Sequence, residues 1–117
     1  MEQLRHEPQE HLMLAMFDNK SMLIGEKLLS TGTSNAALIS ARDIYRTALQ
    51  YQAAYVVVLH NHPSGNPEPS REDILVTRKI KACGELLDIL LMDHIIIGDN
   101  RYFSFREQDI LFEKGRD

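Results

Sequence analysis

At 117 residues, 44% of them hydrophobic, the chain has material for one core and reads as a single domain over 1–117. Thirteen basic against seventeen acidic residues leave a formal charge of −4, which argues against broad, sequence-independent nucleic-acid binding. A lone cysteine excludes an intrachain disulfide framework, and no stretch has the form of a signal peptide or the length of a membrane span, so a cytoplasmic protein is expected.

In chain order, His11 to Phe17 is an apolar run that breaks at Asp18-Asn19-Lys20, and Met22 to Leu29 forms the other arm of a hairpin, with Gly25 marking a bulge. Ser40 caps a helix, with Asp43 three residues on and Ile44, Tyr45, Ala48 and Leu49 as its apolar stripe. Ala53 to Leu59 is almost continuously apolar, which predicts a central strand buried on both faces. Ser70 starts a second helix that turns Ile74, Thr77, Ile80 and Leu87 inward, and Gly84 weakens its end. Ile89 to Ile97 is a further strand, turning through Gly98-Asp99-Asn100 into Tyr102 to Phe105; Ser104 and Glu107 are placed to cap a short C-terminal helix reaching Leu111. Met13, Met16, Met22 and Met92 read as core filler, and Cys83 as a packed thiol. The interleaved order predicts an α/β fold, a mixed sheet flanked by helices.

The chemistry concentrates in His60-Asn61-His62-Pro63-Ser64-Gly65, followed by Ser70 and Asp73. Side chains alternate along a strand, so His60 and His62 share a face at the strand's end while Asn61 points away. Two imidazoles and the Asp73 carboxylate suit a catalytic zinc ion, which takes three protein ligands and leaves one position for water. The bland alternative is a surface histidine pair beside a helix capping box, Ser70-Arg71-Glu72-Asp73. Pro63, Gly65, Pro67 and Pro69 stiffen the loop between the histidines and Asp73, which favours the metal. The ligands are expected on a loop rim, with a core that does not depend on them. His94 reads as a residue supporting the site and not as a ligand, with Asp93 on the opposite strand face.

His60-x-His62 with ten residues before Asp73, and a serine three before that aspartate, resembles the JAMM (MPN+) zinc-hydrolase motif. The fuller string from His60 to Asp73 resembles the bacterial RadC family more closely. So do Gly32-Thr33, Ala41-Arg42-Asp43-Ile44-Tyr45, Asp93-His94-Ile95-Ile96-Ile97-Gly98 and Ser104-Phe105-Arg106-Glu107. The match runs from about Glu10 onward. The helix-hairpin-helix region common in full-length RadC-like proteins has no counterpart before Glu10. The resemblance implies a JAMM/MPN-like domain of cytidine-deaminase-like architecture, a zinc cofactor, and a glutamate that works as general base. Glu2, Glu7, Glu10 and Glu26 are the candidates; the family pattern, in which the acid opens the first strand, favours Glu10. Ser70 takes the oxyanion role in that pattern, alongside its role as helix N-cap.

Two function classes follow. One is a zinc-dependent hydrolase of peptide or isopeptide bonds, acting on an unknown protein or peptide substrate. The alternative is an accessory module linked to DNA repair or recombination, although an acidic chain without a basic stripe is expected to bind DNA weakly unaided. A zinc deaminase is disfavoured, because its Pro-Cys-x-x-Cys ligands cannot come from one cysteine.

Overall fold

The computed structural model describes residues 9–32 and 39–111. Its elements are β1 (Glu10–Phe17), β2 (Leu23–Gly32), α1 (Ala41–Tyr51), β3 (Tyr55–Asn61), α2 (Arg71–Leu87), β4 (Leu90–Ile97) and β5 (Tyr102–Ser104). They form the expected α/β fold. The strands make one mixed sheet in the order β2-β1-β3-β4-β5. β1 runs antiparallel to both β2 and β3, β3 runs parallel to β4 through the α2 crossover, and β5 closes antiparallel on β4.

Strand parity decides what each face does. Leu12, Leu14 and Met16 of β1, Val56 and Val58 of β3, and Ile96 of β4 join Ile44, Tyr45 and Ala48 of α1 and Ile80 of α2 in the main core. The opposite parity supplies a smaller cluster around Ala15, Leu59 and Ile97, which no described helical residue joins. By the same alternation, Glu10, His60 and His94 belong to the helix-covered face. β3 is central as expected, but its start lies two residues later than the apolar run suggests. Ala53 and Ala54 spend their N–H groups on Ala48 O and Phe17 O, outside the ladder. At its other end the ladder continues through His60 and Asn61, which pair with Ile96 and Ile97, so both are strand residues.

Both helix caps form as read. The Ser40 hydroxyl accepts from Asp43 N at 3.2 Å, and Ser70 and Asp73 make a reciprocal capping box. The apolar stripes need correction. In α1 the buried residues are Ile44, Tyr45, Thr47 and Ala48, whereas Leu49 is 55% exposed. In α2 they are Asp73, Thr77, Ile80 and Gly84, with Ile74 half-buried and Leu87 45% exposed. The chain turns back directly after Leu87, Ile89 N bonds Gly84 O, and Ile89 fills the core in place of Leu87. Gly84 lets the helices close, because a Cβ there would strike the Tyr45 hydroxyl; that hydroxyl donates to Ile80 O at 2.8 Å.

The hairpin register skips Ile24, beside the suspected Gly25, and slips again between Leu12 and Met13. Met16 is core and Met13 and Met92 are half-buried, but Met22 is 62% exposed, because it stands at the hairpin turn closed by the Asp18 carboxylate. Cys83 packs half-buried against the core. The C-terminal helix does not form. Ser104 Oγ does accept from Glu107 N at 3.1 Å, but Asp109 and Leu111 take positive φ and the segment runs on as turns. No described helix is long and apolar enough to cross a membrane.

Candidate metal centre

The helix-covered face turns polar where β1 begins and β3 ends. Leu12 pairs with His60 across the β1–β3 ladder, which brings the first residue of β1, Glu10, alongside. Glu10 Oε1 lies 3.3 Å from His60 Nε2. From the start of α2, Asp73 Oδ1 stands 4.0 Å from His60 Nε2, and Asp73 Oδ2 stands 3.2 Å from His62 Nε2. One ligand atom each from Glu10, His60 and His62 falls within 4.8 Å of the others, a spacing that can hold a metal ion. The two imidazoles meet edge to face at 4.9 Å, as the i, i+2 reading requires. Asn61 faces away, bonding Gln9 O and His11 N and so tying β1's start to β3's end.

Burial corrects the loop-rim expectation. His60 and Asp73 are both 0% exposed, and only His62 reaches partly to solvent. Among the described residues, three buried side-chain atoms have no hydrogen-bond partner: Glu10 Oε1, His60 Nε2 and Asp73 Oδ1. Orphaned buried polar atoms are costly, and here all three belong to groups converging on one spot. Two carboxylates and two imidazoles are the donor set that binds zinc, so the residues fit the ion.

The capping box leaves Asp73 available. Its Oδ2 accepts from Ser70 N at 2.8 Å while Ser70 Oγ accepts from Asp73 N at 3.0 Å, and Oδ1 stays uncommitted. Desolvation by itself would raise the Asp73 pKa, but the hydrogen bonds from His62 and Ser70 outweigh it and lower the value to about 2. For His62, desolvation pulls the pKa down, and the Asp73 hydrogen bond and the Asn66 carbonyl outweigh it and raise it.

The His62 loop is held from beneath. Gly65 takes φ +89, its carbonyl accepts from Asp99 N at 2.8 Å, and its N–H donates to His62 O at 2.9 Å. Gly98 lies so close that a Cβ there would strike the Gly65 carbonyl. His62 Nδ1 lies 3.0 Å from Asn66 O.

His94 sits behind the site, as expected of a supporting residue. It is fully buried, with Nε2 3.2 Å from His60 Nδ1 and Nδ1 2.6 Å from Thr77 Oγ1. Phe105 stacks on its ring at 4.9 Å, nearly parallel. Desolvation, with His60 adding to it, drops the His94 pKa to about 3. Asp93, on the other face, accepts from Ser104 Oγ and Arg106 N, which fixes Phe105 over His94. The sequence reading named neither Thr77 nor Phe105 as part of the site; the available signal was a hydroxyl one turn after Asp73 on the buried face of α2.

Glu26 is exposed on β2 opposite Ala15, away from these residues, while Glu2, Glu7 and Thr33 lie outside the described residues. A profile of the RadC-like JAB domain matches residues 1–110. The chain belongs to this family. It is 45% identical over 111 residues to a UPF0758 protein of Clostridium perfringens, covering 95% of this chain and 49% of that one. A UPF0758 protein of Thermotoga maritima is 48% identical over 99 residues, 85% of this chain and 45% of its own. A third, from Methanosarcina mazei, is 42% identical over 105 residues, covering 90% and 46%. The RadC-like chain therefore spans about half the length of the curated relatives it matches.

Proposed function

We propose that this RadC-like JAB domain is a zinc-dependent hydrolase of amide bonds, peptide or isopeptide, in a protein or peptide substrate. The observation that carries the reading is the convergence of three orphaned, buried ligand atoms on Glu10, His60 and Asp73 beside His62 Nε2. Membership of a JAB family supports the same chemistry.

In this reading His60, His62 and Asp73 hold the ion. Zinc, when bound, supplies Lewis acidity that lowers the pKa of water toward about 7. Glu10 takes the proton of the attacking water on Oε1. The water oxygen adds to the carbonyl carbon, the C–N bond breaks, and Glu10 returns the proton to the departing amine, leaving a carboxylate product. The capping box uses Ser70 Oγ as an acceptor only, so its own proton can go to the developing charge on the carbonyl oxygen. Burial around His60 and Asp73 excludes bulk water and strengthens each of these interactions.

The test combines zinc content with turnover on a panel of peptide and isopeptide substrates. Glu10→Gln is expected to keep one zinc per chain and lose about 10²–10⁴-fold in rate, with Glu26→Gln near wild type. Loss of zinc from Glu10→Gln would make Glu10 a ligand and remove it as base. A wild-type protein that takes up no zinc overturns the proposal.

A further inference from the structure

His62 and His60 are anchored in different ways. His62 Nδ1 faces the Asn66 carbonyl, which can only accept, so Nδ1 carries a proton and Nε2 is the nitrogen turned toward Asp73, to which it donates until a cation takes its place. His60 Nδ1 faces His94 Nε2, and two imidazole nitrogens do not by themselves say which one donates. The direction is set two residues further along. Thr77 Oγ1 lies 2.6 Å from the backbone carbonyl of Asp73 and 2.6 Å from His94 Nδ1.

A carbonyl has no proton to give, so the single Thr77 hydroxyl proton goes to Asp73 O. The oxygen of Thr77 is then left to accept from His94 Nδ1–H. His94 is fully buried and its nitrogens face a hydroxyl and an imidazole, with no carboxylate bonded to either, so it carries one proton and that proton is on Nδ1. Its Nε2 is a bare acceptor, and His60 must donate from Nδ1. Nε2 is thereby left as the nitrogen turned toward Glu10 and Asp73, open to a metal.

We infer that Thr77 and His94 are positioning residues, a tautomer relay that carries the polarity of the Asp73 carbonyl to His60 and fixes Nε2 as its ligating nitrogen. Both histidines thus take their orientation from a backbone carbonyl, His62 directly and His60 through two side chains. The relay begins on the same residue that supplies the carboxylate ligand, so the start of α2 sets the metal's oxygen donor and one of its nitrogen donors together. Phe105 stacks on His94 and keeps its ring from turning over. As a statement about ligation the inference rests on the zinc reading; as a statement about proton positions it does not.

The experiment separates the two. Metal-free protein labelled with ¹⁵N-histidine is expected to show ring-nitrogen shifts for His94 protonated at Nδ1 alone, and for His60 protonated at Nδ1. Thr77→Val exchanges the hydroxyl for a methyl and changes no ligand side chain. It is expected to move the His94 proton to Nε2, deprive His60 Nδ1 of its own, and weaken zinc about 10–100-fold in a chelator competition. Thr77→Ser should restore both readouts. A wild-type His94 protonated at Nε2 overturns the relay without any variant. So does a folded Thr77→Val protein with unchanged tautomers and zinc affinity. A wild type with the expected tautomers and no zinc uptake overturns the zinc reading and leaves the relay standing.

Discussion

Glu10 Oε1 and His60 Nε2 stand 3.3 Å apart, both buried and neither hydrogen-bonded, one opening the first strand and the other near the end of the third. Two such atoms facing each other need a proton or a cation between them. The same requirement extends to Asp73 Oδ1, so the fold holds a site that a divalent ion would complete.

Ligand removal should divide by burial. His62→Ala is expected to abolish stoichiometric zinc with little change in the thermal midpoint, because His62 is partly exposed. His60→Ala should abolish zinc and also destabilise, within the range of core truncations at about 2–5 kcal/mol, since His60 is wholly buried and His94 would lose its partner. Metal analysis and thermal melts of the two variants decide this; full zinc occupancy in the double variant would remove the assignment.

The metal-free protein should lose stability as pH falls below 6.5. His94 has its pKa lowered to about 3 in the fold, so between pH 6.5 and 3 the unfolded chain binds a proton that the folded one does not. The slope is at most ~1.4 kcal/mol per pH unit for one proton. Asp73, lowered to about 2, adds a loss below pH 3.8. His62 works in the other direction: its raised pKa contributes stability present below 6.5 and lost as pH rises through the folded value. Urea unfolding across pH 4 to 7.5 measures the sum. A level profile between 6.5 and 4 contradicts a neutral His94.

Gly98→Ala should disturb the site without touching it. The added methyl would meet the Gly65 carbonyl, which holds the loop carrying His62. The expected result is weaker zinc binding with His60 still in place, read by chelator competition. Unchanged affinity would mean that the loop gives way freely.

DNA binding should be weak and salt-sensitive. At a formal charge of −4, with Arg71, Arg78 and Lys79 on exposed positions of α2, few phosphates can be neutralised at once. Anisotropy titration near 150 mM salt is expected to show no submicromolar complex. Tight, competitor-resistant binding would favour the accessory-module reading.

The His-x-His pair, the capping serines and the strand alternation were legible because each depends on neighbours within a few residues. Glu10 was favoured over Glu26 by family pattern, and the structure places Glu10 against His60 and leaves Glu26 exposed. What the chain alone did not reveal was register. Only the pairing of Leu12 with His60 and of Val58 with His94 shows that the site is the polar end of the core and not a loop rim. The exposed Leu49, Leu87 and Met22 were misjudged for a related reason, since periodicity says which residues share a face but not where the covering layer ends. The failed C-terminal helix had a sound cap at Ser104, but the same segment is drawn back by Asp93 to hold Phe105 against His94.

The Asp73 carboxylate divides its labour between its oxygens, Oδ2 closing the helix cap and meeting His62, Oδ1 facing His60. Exchanging one oxygen for an amide nitrogen, Asp73→Asn, leaves an acceptor for Ser70 N and turns a donor toward the place where a ligand is needed. The architecture would endure, and the hydrolysis proposed above would stop. On the proposed reading, a silent descendant of this fold lies a single codon step away, and because Asp73 is wholly buried its outer surface would be unaltered.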